Sequence, residues 1–196
     1  MVTYGAYKLG AFDKFKGTGK NAVKGVLSDP APTGKTSKNS VADIVKGVNP
    51  TKSTTNCRAS SIATVLRLKG INAEALNITG GSHSDAVKTC FKGARVAEMY
   101  NPTKEKIDSH ILKKFGEGAS GMLSAGYKTP LGTKTYHATA WRVKNGIVEH
   151  IDGQKELVDC AEYFKYLATD TEASISRLDN LEINYEGLSK FVKIRK

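Results

Sequence analysis

Long apolar runs are missing from this 196-residue chain. No stretch approaches the roughly 20 apolar residues that cross a bilayer. The opening "MVTYGAYKLGAF" is broken by Gly and Lys too often to serve as a secretory signal core. No membrane span is therefore expected. Cysteine is scarce. Cys57, Cys90 and Cys160 are odd in number and widely spaced, which excludes a closed disulfide framework and suits a reducing place of action. The four histidines, His83, His110, His137 and His150, show no paired ligand spacing. With three scattered cysteines they build no recognisable zinc site, so no metal and no cofactor is expected. An Arg-rich stripe interleaved with aromatics is missing too. Net charge is +11, from 30 basic and 19 acidic residues, but the excess is scattered Lys, which argues against nucleic acid as the main partner.

Residues 1–48 carry eight Lys against three Asp, with Gly and a few aromatics. "DPAPTGKTSKNS" (Asp29 to Ser40) has linker composition. Ser40 then caps a short helix, "VADIVKG", with Asp43 in its first turn. The rise in pattern density from Asn49 divides the chain into a Gly/Lys-rich segment, 1–48, and one domain, 49–196. Two phosphate-loop look-alikes fail on context. "PTGKTSK" has Asp29 where the first glycine belongs. "GEGASG" leads into the strand-like "MLSAGYKT" rather than a helix.

In "TTNCRASSIATVLRLKG", Ala59, Ile62, Ala63 and Leu66 form one apolar helical stripe that Arg58 and Arg67 avoid. Cys57 thus sits at a helix start, with Thr55 or Asn56 as its N-cap. Strand patterns follow at "INAEALNI", "SGMLSAGYKT", "YHATAWRVK", "GIVEHIDG", "ASISRLD" and "KFVKIR". Helical ones cover "SHSDAVKTCFKGA", "KEKIDSHILKKFG" and "LVDCAEYFKYLA". Helices early and strands late predict an α+β fold, with the Cys-bearing helix packed on an antiparallel sheet.

Asn145-Gly146 is a two-residue hairpin signal. It pairs Lys144 with Ile147, and by extension Thr139 with Asp152 and His137 with Gln154. Asp152 becomes the diagonal neighbour of His137 on one face, within side-chain reach. A one-residue slip would put them on opposite faces. A helix-start thiol, an imidazole and a carboxylate are the three parts of an activated nucleophile. Each also has a plain structural reading, as core hydrophobe, sheet histidine and strand-end carboxylate.

"NPTKSTTNCRASSIATVLRLKGINAEA", "GEGASGML", "YHATAWRVKNGIVEHIDGQ" and "SRLDNLEI", taken in order, resemble the papain-fold toxin domains of polymorphic toxins and some phage minor head proteins. That resemblance covers Asn49 to Lys196. It implies a papain-like cysteine enzyme acting on amide bonds of a protein substrate, as glutamine deamidase or peptidase. Cys57 would be nucleophile, His137 base and Asp152 its orienting partner, with Asn56 and Gln154 lining the substrate or oxyanion site. It further implies action in the cytoplasm of a target cell, delivery by secretion or in a phage particle, and an immunity protein over the cleft. Ser60 and Tyr136 depart from the pattern, standing where many relatives carry a second Cys and a Gly. The alternative is a non-catalytic virion or interaction protein that binds nucleic acid or an acidic partner through its basic surface.

Overall fold

The structure is a computed structural model and describes residues 40–129 and 131–195. The linker composition read at Asp29 to Ser40 lies, Ser40 apart, outside the described residues. Among the described residues five α-helices, α1 (Val41–Val45), α2 (Cys57–Leu68), α3 (His83–Cys90), α4 (Lys104–Phe115) and α5 (Tyr185–Leu188), accompany seven strands. These are β1 (Ala73–Ala75), β2 (Ala97–Tyr100), β3 (Ser120–Lys128), β4 (Lys134–Lys144), β5 (Ile147–Ile151), β6 (Glu172–Arg177) and β7 (Val192–Ile194). The main sheet runs β2-β6-β3-β4-β5, and β1 pairs with β7 in a small second one. Every strand pairing is antiparallel. The chain is α+β.

The sheet is covered on both faces. Met122, Ala138 and Ala140 turn toward α1, α2 and α3, where Ile62, Leu66 and Val87 are fully buried. Their neighbours Leu123, Trp141 and Val143 turn the other way, toward Ile107 and Ile111 of α4. Helix α2 is buried on nearly all sides, because Ser60, Ser61 and Thr64 lie inside as well. Ser61 Oγ donates to the Cys57 carbonyl at 2.9 Å and Thr64 Oγ1 to that of Ser60 at 2.8 Å. Hydroxyls satisfied within their own helix can be buried at little cost.

Ser40 and Asp43 form a reciprocal capping box on α1, an arrangement worth about 0.5–2 kcal/mol. The packed domain begins before Asn49. Ile44, Val45 and Val48 are in the core, and Arg67 donates to the carbonyls of Ile44, Lys46 and Gly47 at 3.1, 2.6 and 3.2 Å. Residues 41–48 therefore belong to the domain rather than to the segment before it. The helix read near "LVDCAEYFKYLA" shrinks to a 3-10 turn, Ala161–Tyr166. Its upstream backbone is spent elsewhere. Leu157 exchanges hydrogen bonds with Asp152, and Cys160 N donates to the His150 carbonyl. An extended clasp along the end of β5 replaces the first turn of a helix.

Candidate active site

The Asn145-Gly146 loop sets the register. Both residues have positive φ, +54° and +71°, as the tight turn that continues strand twist requires. Glu117 accepts from both of their N–H groups at 2.9 Å. Lys144 pairs with Ile147, and the ladder runs on to Ala140 opposite Ile151. There β5 stops, while β4 continues six residues further, to Lys134. The extrapolated partners of His137 and Thr139 are therefore not strand residues. Asp152-Gly153-Gln154 turns away from the sheet, and Gln154 does not face His137.

This early end creates the site. Odd-numbered β4 residues bond toward β3, as Val143 does to Ala119, so even-numbered ones face β5. Past Ile151 nothing of β5 meets Ala138, and its N–H turns to the Cys57 sulfur instead. Cys57 arrives from α2 on one face of the sheet. His137 leaves β4 on the face that carries Trp141. They meet at the strand edge that β5 has vacated.

Asp152 is fully buried and accepts four donors. Oδ1 takes the N–H of Gln154 at 2.8 Å and of Lys155 at 3.3 Å. Oδ2 takes His137 Nε2 at 2.9 Å and the Tyr163 hydroxyl at 2.7 Å. With Nε2 held by Asp152, the nitrogen left to bond Cys57 is Nδ1. Burial disfavours charge on His137, but the hydrogen bonds to Asp152 and Cys57 outweigh it and raise its pKa to about 9. Burial likewise opposes a Cys57 thiolate. The His137 bond and charge, the Ala138 N–H and Arg58 reverse that, and its pKa falls below the ordinary 9.0. Both shifts favour a thiolate–imidazolium pair at neutral pH.

Gly153 lets the turn sit on α2, since a Cβ there would lie 2.1 Å from Thr64 Oγ1. Gln154 then reaches the helix start, its side-chain end 3.0 Å from Cys57 N and 3.1 Å from both Asn56 N and Asn56 Oδ1. Two N–H donors against one carbonyl favour oxygen at that position, so Gln154 caps α2. Asn56 occupies the N-cap position, one of the two residues the sequence offered for it. Asn56 makes no capping bond with its side chain and instead donates to Asn49 Oδ1 at 3.0 Å and the Leu76 carbonyl at 3.2 Å. Asn56 and Gln154 are both buried. They stand together at the start of α2, with the Gln154 side-chain end within hydrogen-bond distance of the Cys57 N–H. Asn49, which opens the segment that carries the resemblance, belongs to this constellation, as does Tyr163, which had not stood out in the sequence. Tyr136 is 60 % exposed on the opposite side of its strand from His137.

Cys90 and Cys160 are both buried, and neither contacts His137. Burial pushes the Cys90 thiol up to about 12 and the Cys160 thiol higher still. At pH 7 iodoacetamide is accordingly expected to modify Cys57 and spare the other two, as peptide mass mapping would record. His137→Ala should move Cys57 labelling to alkaline pH, because the groups that lower its pKa are led by His137 while burial remains. Equal rates at all three cysteines would contradict this.

A poised thiol, an imidazole and a buried carboxylate in hydrogen-bonded series, set on an α+β scaffold, are what the described residues present. No protein-family profile and no curated protein matches the sequence. The fold is similar to that of a solved structure, the G161 variant of the Salmonella effector SpvD, with a TM-score of 0.54. The match covers 80 % of this chain and 83 % of that one at 14 % identity, which is a likeness of fold. Among the described residues no helix is long and apolar enough to cross a membrane.

Proposed function

We propose that this chain is a papain-like cysteine hydrolase of effector type that attacks an amide carbon in a protein substrate, as glutamine deamidase or peptidase. The observation that carries the proposal is the series Cys57–His137–Asp152, in which a carboxylate shielded from water holds an imidazole against a helix-start thiol. In this reading the Cys57 thiolate adds to the amide carbon. As the C–N bond breaks, the His137 imidazolium gives its proton to the leaving nitrogen, and a thioester remains on Cys57. His137, now neutral, takes a proton from water as that water attacks the thioester. The acid is released and the ion pair restored. Asp152 stays ionised throughout and fixes the ring. The likeness of fold to a bacterial effector supports a protein target met inside another cell.

Intact-mass analysis of host-cell proteins treated with the enzyme tests both activities. Deamidation adds about 1 Da per site and cleavage yields fragments, because the two share this chemistry up to the leaving group. Either change should vanish with Cys57→Ala. A change that persists with Cys57→Ala would remove Cys57 from the reaction.

A further inference from the structure

Asp152 Oδ2 is shared by two neighbouring donors on the side of the sheet away from α2. His137 Nε2 lies at 2.9 Å and the Tyr163 hydroxyl at 2.7 Å. The Tyr163 ring also meets the His137 imidazole edge-on, with centroids 5.5 Å apart and planes at 76°. Its far side is fixed by Tyr127, another edge-on contact at 6.1 Å, and Lys155 Nζ lies 5.2 Å from its centroid. Tyr163 comes from the 3-10 turn, on the side of the sheet away from α2. The His137–Asp152 bond is thus enclosed between the vacated edge of β4 and this ring. The bond at Oδ2 needs no help in holding Asp152, whose Oδ1 is already anchored by two backbone N–H groups.

We propose that Tyr163 is a positioning residue of this site, dividing the charge of Asp152 Oδ2 between two donors and closing the imidazole edge to water. The inference rests on the thiol-hydrolase reading but predicts something separate from it. A carboxylate oxygen that donates its density to two partners binds each less strongly than it would bind one. Tyr163 therefore limits how firmly Asp152 retains the imidazolium, which must surrender its proton in each cycle. The titratable and charged groups that face the pair are Cys57 and Arg58 on α2, Tyr127 on β3, and Asp152 and Lys155 in the turn, with Cys160 beside Asp152. Burial keeps the Cys160 thiol and the Tyr127 and Tyr163 phenols neutral through the working range, so Asp152 and Cys57 dominate His137.

The test needs no substrate. Iodoacetate is an anion and alkylates a thiolate faster beside an imidazolium, so its rate with Cys57 should fall as pH rises through the His137 pKa, about 9. Tyr163→Phe keeps the ring and removes only the hydroxyl. It is expected to shift that midpoint upward by roughly half a pH unit, a movement that a purely structural role would not produce. In an Asp152→Asn background the same change should leave the midpoint still. An unmoved midpoint in Tyr163→Phe, or an equal shift in both backgrounds, overturns the proposal. A native protein with no alkaline fall in Cys57 alkylation would instead overturn the ion pair itself, and with it the reading on which this inference rests. NMR titration of the His137 ring gives the same midpoint independently, and a thermal melt of Tyr163→Phe confirms that the variant is folded.

Discussion

Asp152→Asn should lower turnover by up to about 10⁴-fold, the loss that follows when the corresponding serine-protease carboxylate can no longer set the histidine tautomer. The four contacts of Asp152 explain why an isosteric change does such damage. Every partner is a donor: His137 and Tyr163 at one oxygen, the Gln154 and Lys155 amides at the other. An asparagine must turn its NH₂ against one of these pairs. If it faces His137, the imidazole has to present a lone pair at Nε2 and a proton at Nδ1, which is wrong for accepting from Cys57. If it faces the turn, two buried amides lose their acceptor. The check is turnover together with Cys57 alkylation at pH 7, and both should fall. Glu149→Ala removes only the pair with Arg142 on the neighbouring strand and should be nearly silent. Full activity in Asp152→Asn would show that some other group orients His137.

Gly153→Ala carries the second large effect. The added methyl would lie 2.1 Å from Thr64 Oγ1, 2.9 Å from Val48 Cγ1 and 3.2 Å from the Ser60 carbonyl. None of these can retreat easily, because Thr64 is bonded into α2 and Val48 is core. Overpacking of this kind costs about 1–3 kcal/mol, and the turn must lift off α2 to relieve it. The seats of Asp152 and Gln154 move with it. Thermal melting should show the loss of stability, and Cys57 should lose its fast alkylation at neutral pH even where the protein remains folded. A variant with native stability and native Cys57 reactivity would show that the turn does not gate the site. Gly153→Ser, larger still, should be worse.

The sequence made the hairpin legible because two residues of known turn preference fix a register, and strand alternation does the rest. The helix behind Cys57 was legible from its apolar spacing, although Ser60, Ser61 and Thr64 look like surface residues until their hydroxyls are seen bonded to Asn56 and to carbonyls one turn back. What escaped was long-range or irregular. Nothing near Cys57 announces that its helix is capped from Gln154, because a cap drawn from another segment leaves no local pattern. Tyr163 sits in a 3-10 turn with no hydrophobic period, so it could not be placed opposite Asp152. The core also reaches back to Ile44, since Arg67 gathers three carbonyls of the preceding segment and ties α1 down.

The cap on α2 has a consequence for the chain before it folds. Asn56 and Gln154 stand 98 residues apart in sequence, and the groups that make Cys57 acidic are led by His137 and the Ala138 N–H on β4, also distant from it in sequence. In an extended polypeptide Cys57, Cys90 and Cys160 are three ordinary thiols, alike in chemistry. Reactivity arrives only when the hairpin docks on the helix, and it disappears when they part. A chain drawn through a narrow passage in extended form would therefore travel with only ordinary thiols and regain its activated one on refolding.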